Sequence, residues 1–328
     1  MKDQFAKAIV LLVFCCASIL VYADDSAAEI AAGGLQLRKE ARISMEKERL
    51  TISEKKITVE FEFLNETDQD ITTEVAFPIP PYSAWDDEMD PRGTFNDFRV
   101  WVEGREQSYQ TEAKAKLKGA DYTDVLRKMN VDITSFGHAG DLTVEPRSPD
   151  FQIPKLPKQD KETLVRLGLV NKDDVPMWTV EKMYHWSQLF PAHKILHIRH
   201  EYAPIEGFEM LEVSKIATDL KDACIEPGLQ TRLQALVREN LKRQPTAGSY
   251  VYPTWIKYIL KSANTWKTPI KDFELIVERA TPSNGHPAFV SFCWDGSVRK
   301  VDENHFAAGK LNFVPDSELT IYYLWAAR

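Results

Sequence analysis

The sequence predicts a mainly β protein, built as two β-sandwich-like domains with short helical insertions. Two observations lead there. Apolar and polar residues alternate with period two through most of the chain, and turn residues recur between the alternating runs. A third observation limits the helices, because only three segments carry helical signals. Sheets with one apolar face must pack on another layer, which is the basis for expecting sandwiches.

The elements follow in chain order. The N-terminus reads MKDQFAKAIVLLVFCCASILVYADD. Lys2 and Lys7 precede an apolar stretch from Ala8 to Leu20, and Val21-Tyr22-Ala23 offers small residues where a signal peptidase inspects the chain. Residues 1–23 therefore read as a cleaved signal peptide, with a retained anchor as the alternative. The apolar stretch is shorter than the ~20 residues a helix needs to cross a bilayer, so no span is expected after cleavage. Cys15 and Cys16 leave with the signal, and Cys224 and Cys293 remain. An even pair in an exported chain predicts one disulfide, closing a loop of about 70 residues and stabilising by roughly 4 kcal/mol.

The first domain is expected over residues 24–214. In KITVEFEFLN, Ile57, Val59, Phe61 and Phe63 share one face, and Thr58, Glu60 and Glu62 the other. The polar NETDQD then reads as a turn into a strand with Ile71, Val75 and Phe77 inward. FRVWVEGREQSY repeats the pattern, with Phe98, Val100 and Val102 inward and a turn at Gly104. Residues of about 112–175 break the rhythm and read as a helical, proline-rich insertion. DYTDVLRKMNV and KETLVRLGLV are short helices, with Asn130 and Gly168 at left-handed C-terminal caps and Val131 and Leu169 as the apolar residues that follow. Strands resume at MWTVEKMYHWSQ and KILHIRHEYAP.

The second domain is expected over residues 215–328, preceded by an amphipathic helix at 227–243. Leu229, Leu233, Leu236, Val237 and Leu241 form its stripe, and Lys242 and Arg243 suit its C-terminal end. YVYPTWIKYIL, DFELIVE, AFVSFCW and ELTIYYLW are strands of a second sandwich.

Composition excludes some functions. The 328-residue chain has a formal charge of −8 and no basic stripe, which argues against nucleic acid and against an anionic membrane surface. No P-loop, H-E-x-x-H, G-x-S-x-G or dinucleotide fingerprint occurs. SMEK (Ser44, Lys47) and SEKK (Ser53, Lys56) have serine–lysine spacing, but on strands, where positions three apart diverge. WDDEMD lacks the order of a calcium loop. No catalytic residue, metal ligand set or cofactor is assigned. Asn65 opens an N-glycosylation sequon.

The histidines of FPAHKILHIRHEYAP do not converge. His193 and His197 share a strand face about 13 Å apart, too far for one zinc ion, and His200 points the other way beside Leu196, Ile198 and Tyr202. If QLFPAHK makes a hairpin with Trp186 facing Leu196 and Tyr184 facing Ile198, then His185 lies opposite His197. That cross-strand pair is a candidate for weak metal binding or for titration near neutral pH. Trp178, Trp186 and Trp255 are candidate contacts for sugar or peptide, since flat rings desolvate cheaply.

These residues resemble a known family. DDSAAEIAAGGLQL, FLNETDQDITTEVAFPIP, WSQLFPAHKILHIRHEYAP, NTWKTPIKDFELIVE and VSFCWDG occur in the order seen in an exported bacterial family, domain of unknown function 4424. The likeness spans nearly the whole mature chain and implies a periplasmic or secreted location, with no catalytic residues to carry over. Residues 56–204 more faintly resemble the vault and inter-α-trypsin (VIT) sandwich, whose modules are mostly non-catalytic. The expected function is an exported, non-enzymatic binding or envelope-associated protein, its partner a protein or glycan of the cell envelope. The alternative is a periplasmic enzyme or receptor acting on carbohydrate or peptide in an interdomain cleft.

Overall fold

The alternation in KITVEFEFLN becomes a strand with Ile57, Val59, Phe61 and Phe63 buried and the residues between them open to solvent to varying degrees. The structure, a computed structural model, describes residues 26–31, 34–84, 97–134, 156–204, 206–246, 248–280 and 288–326. The signal segment, the WDDEMD loop and most of the proline-rich connector lie outside the described residues.

The first part of the chain contributes β1 (Ser26–Ala31), β2 (Gly34–Leu37), β3 (Ile43–Ile52), β4 (Ile57–Asn65), β5 (Ile71–Pro78) and β6 (Tyr82–Ser83). Then come β7 (Arg99–Val102), β8 (Arg105–Gln107), β9 (Gln110–Leu117) and β10 (Ala120–Asp121), followed by helices α1 (Thr123–Lys128) and α2 (Lys158–Arg166). Next are β11 (Thr179–Phe190), β12 (Ile195–Tyr202), β13 (Glu206–Phe208), β14 (Leu211–Glu212), α3 (Ile216–Asp219) and α4 (Pro227–Arg243). The last strands are β15 (Tyr250–Tyr258), β16 (Ile270–Glu278), β17 (Ala288–Ser291), β18 (Arg299–Lys300), β19 (His305–Phe313) and β20 (Leu319–Trp325).

The fold is mainly β, with short helices, as expected. An eight-stranded sheet runs β18-β19-β16-β3-β4-β12-β7-β8. A seven-stranded sheet runs β10-β9-β11-β5-β1-β2, with β6 on β11, and a five-stranded sheet runs β13-β15-β20-β17, with β14 on β15. One face of the eight-stranded sheet covers both of the others. Phe61, Phe63, Ile198 and Val100 share a core with Val75, Phe77, Tyr184 and Trp186 of the seven-stranded sheet. Leu50, Leu275 and Val277 belong to the same core as Ile256, Ile321 and Tyr323 of the five-stranded one.

The two sandwich-like halves therefore share a layer. Hydrogen bonding does not break at residue 214. β16 lies parallel to β3, with Asp272 opposite Lys47 and Val277 opposite Ile52, while β13 and β14 cross the other way to join β15. The far face of the five-stranded sheet is covered by α4, whose Leu233 and Val237 are buried with Val251, Phe289 and Leu324. A bulge between Met45 and Lys47 shifts the frame of β3, so Ile43 and Met45 face inward before it and Leu50 and Ile52 after it.

Residues 112–117 of the expected insertion are sheet, because β9 pairs with β11 from Gln110 to Lys116. Its inward residues are Ala113 and Ala115, too small to read as an apolar face. They are small because Trp178 and the helices pack against them: Leu126, Leu164 and Leu169 complete a second cluster around that indole. Both helices end as expected. Asn130 (φ 56°) and Gly168 (φ 73°) are left-handed, and the amides of Val131 and Leu169 donate to the carbonyls of Leu126 (3.0 Å) and Leu164 (2.9 Å). Cys224 and Cys293 form the expected disulfide, with Cα atoms 5.1 Å apart. Asn65 is fully buried. Its amide donates to the carbonyls of Gln69 (2.8 Å) and Phe190 (2.9 Å), and its oxygen accepts from Thr67, so the sequon serves a turn.

Candidate functional site

The hairpin assumed for β11 and β12 does not form. β11 pairs with β5, β9 and β6 in one sheet, and β12 with β4 and β7 in the other. The pairing of His185 with His197 is thereby corrected. His185 stands opposite Ala76 and Gln110 and is buried, its Nδ1 2.6 Å from Glu74 Oε1, while His197 stands opposite Glu62 on the outer face of the eight-stranded sheet. The reason is that Pro191–Lys194, with His193 left-handed at φ 55°, carries the chain from one layer to the next instead of turning it back. His193 sits in that crossing, 2.8 Å from Asp68.

The tryptophans differ in the same way. Trp178 and Trp186 are buried, the first under the helices and the second between the sheets, where its Nε1 donates to Gln188 Oε1 at 3.2 Å. Trp255 is partly exposed and lies flat over Gly207, where a Cβ would fall 2.1 Å from its Cε2. Tyr322 flanks it at 6.2 Å.

The outer face of the eight-stranded sheet gathers what these residues do not. One row in register runs Glu106, Trp101, Arg199, Glu60, Arg49 and Glu274 across six strands. The next row runs His197, Glu62, Lys47 and Asp272. Charge alternates from Arg199 to Glu274 in the first row and from Glu62 to Asp272 in the second, which is how cross-strand neighbours stabilise one another on a wet face. Arg49 Nε meets Glu274 at 2.7 Å, Lys47 meets Asp272 at 3.6 Å, and Arg99 forks onto Glu106 at 2.9 and 3.0 Å. The guanidinium groups of Arg99 and Arg199 lie 4.6 and 5.2 Å from the Trp101 ring centre.

Between the rows is an open groove of about 440 Å³, lined by Lys47, Arg49, Glu60, Glu62, Trp101, His197 and Arg199. Its rim is the β7–β8 turn, where Glu103 and Gly104 both have positive φ (50° and 74°), as a two-residue hairpin requires. Glu103 reaches back to β12. Its carboxylate accepts from the His197 amide at 2.7 Å, which holds it below the usual carboxylate range, and it meets the imidazole at 3.2 Å. His197 is thus the expected candidate that lies in the groove. Trp101 and Arg199 were not anticipated. Their signal was present in the polar positions of FRVWVEG and HIRHE, which alternate as regularly as the apolar ones.

Among the described residues no three His, Cys, Asp or Glu side chains form a metal-binding group, and no helix is long and apolar enough to cross a membrane. A family model described as Domain of unknown function (DUF4424) matches residues 23–322. The chain belongs to this family. The DUF4424 match runs from before β1 into β20, so it takes in strands of all three sheets. No curated protein sequence matches the chain. Among solved structures, one described as "a putative nutrient binding protein" from Legionella pneumophila is similar at a TM-score of 0.43 and 14% identity. The overlap covers 92% of this chain and 70% of that one.

Proposed function

We propose that this DUF4424 chain is an exported, non-enzymatic binding protein of the cell envelope, and that its ligand lies in the groove beside Trp101. The observation that carries the reading is the groove itself: donors and acceptors of both signs, fixed on a rigid sheet around one aromatic ring. The cations are already paired, Lys47 with Asp272, Arg49 with Glu274 and Arg199 with Glu201, so an anionic ligand must break pairs to bind. An uncharged chain rich in hydroxyl or amide groups can bond to both signs and leave the ladder intact. A glycan or an extended peptide segment has that chemistry. The carboxylate of Glu60 faces solvent between Arg199 and Arg49, and that of Glu62 lies partly open beside Lys47, with no enclosure to exclude water, which favours binding over catalysis. The Cys224–Cys293 disulfide supports an oxidising location, periplasmic or secreted.

The test is an NMR titration of the mature chain with neutral oligosaccharides in one arm and uncharged extended peptides in the other. The indole signal of Trp101 and the imidazole signals of His197 are the readout. One class is expected to shift both signals, and Trp101→Ala to abolish saturation. If neither class moves them, the face is only a solvated sheet surface and the reading fails.

A further inference from the structure

Lys182 puts a charge on a face that is otherwise apolar. β11 turns Val180, Lys182, Tyr184 and Trp186 to one side, and the other three are buried. Val180 belongs to the cluster under α1 and α2, and Tyr184 to the core shared with the eight-stranded sheet. Lys182 stands between them, half-buried, where one cover gives way to the other.

The surroundings supply no counter-charge. Lys182 Nζ lies 5.1 Å from the centre of the Tyr184 ring, which stacks on Phe98 at 4.2 Å and meets the edge of Tyr109 at 5.2 Å. Among the described residues no carboxylate pairs with the ammonium, and burial alone acts on its pKa, lowering it. Across the ladder is Ala113, whose single methyl takes up little of the space beside the ammonium. Arg127 of α1 donates to the Ala113 carbonyl at 3.2 Å, again with no carboxylate partner among the described residues. Two cations therefore flank one alanine with no anion between them. A partly buried ammonium without a counter-ion costs stability, and a ligand that brings the anion recovers it.

We propose that Lys182 anchors a second binding site, separate from the Trp101 groove, which takes a ligand by its carboxylate. The carboxylate pairs with Lys182 and faces Arg127, and the apolar part of the ligand lies along Tyr184. A monoanion fits because one ammonium in aromatic surroundings matches one charge, whereas a phosphate dianion would carry excess charge into the same place. A free organic acid and the C-terminus of a peptide share this chemistry.

The test is a pH titration of the mature chain, with isotope-labelled lysine, in carboxylate-free buffer. The Lys182 side-chain signal is assigned by its loss in Lys182→Met. Without ligand it is expected to titrate below the ordinary lysine value. Acetate in one arm, and a short apolar peptide with a free C-terminus in another, are expected to raise the midpoint by about half a unit or more, the tighter binder naming the source. The same peptide with an amidated C-terminus should leave the midpoint in place. By calorimetry, Lys182→Met should weaken the tighter carboxylate about tenfold or more, and Arg127→Gln should weaken it less. Lys182→Met should melt no lower than the native chain, because it removes an unpaired charge and keeps the apolar stem. A ligand-free Lys182 that titrates at or above the ordinary lysine value overturns the proposal, since an acid of the chain would then be its partner. So does a midpoint that neither carboxylate moves or that the amidated peptide moves equally, tighter binding of inorganic phosphate, or an affinity unchanged in Lys182→Met.

Discussion

Four aromatic rings close around the imidazole of His200. The centroids of Phe61, Phe77, Phe98 and Trp186 lie 5.5, 4.9, 5.2 and 5.5 Å from its own, and the residue has no exposed surface. Burial pulls its pKa down to about 3. In the unfolded chain the same group titrates near pH 6.5. Between those values the unfolded state binds a proton that the folded state refuses, so stability rises with pH and is lost as pH falls from about 6.5 toward 3. The loss reaches roughly 4–5 kcal/mol at the bottom of the window. Urea unfolding at pH 7, 5 and 4 checks this: the midpoint should fall steeply for the native sequence and less steeply for His200→Leu. Equal slopes would remove His200 from the account. That His200 faces inward was legible in the sequence, because it alternates with Ile198 and Tyr202. The cage was not, because its rings come from β4, β5, β11 and the residue before β7, and no local pattern specifies a partner across a sandwich.

Elements whose signals are local were read correctly. A helix cap is written in about five consecutive residues, and Asn130 and Gly168 adopt the left-handed conformation their positions demanded. Gly168 isolates that effect. The nearest atom to an added Cβ is Leu117 Cδ2 at 3.9 Å, so space is not the constraint. Gly168→Ala should cost about 1–2 kcal/mol from backbone strain alone, and Gly168→Asn less, measured as shifts in urea midpoint. A neutral Gly168→Ala would mean that the cap can reorganise. Strand partners were harder. Alternation tells which face of β11 and β12 is buried, yet it is silent on which neighbour each strand takes, and so the assumed hairpin placed His185 against His197. The groove was half legible for a related reason. Glu60 and Glu62 were recognised as a wet face, but their cations arrive from β3 and β12, distant in sequence and adjacent only through pairing.

The whole molecule is tied together by contacts between segments distant in sequence. The disulfide anchors the segment before α4 to the loop after β17, where the Cys293 region also meets the Ala223 carbonyl through Ser291 at 2.8 Å. Replacing Cys224 and Cys293 with serine should lower stability by about 2–4 kcal/mol, with faster hydrogen exchange confined at first to those two segments. Uniform acceleration across all three sheets would show instead that the bridge clamps the entire fold. The division into an N-terminal and a C-terminal half was the part of the sequence reading that topology complicated most, since β13, β14, β16, β18 and β19 each join sheets across it.

The parallel union of β3 and β16 also governs the order of events during biogenesis. Arg49 and Glu274, neighbours in the finished sheet, are 225 residues apart. A chain emerging N-terminus first exposes one flank of β3 until nearly all of the polypeptide has been delivered, and closing so long a loop is slow. During that wait β3 offers a bare ladder to any extended segment nearby. Stalled or truncated molecules lacking β16 should therefore aggregate through β3.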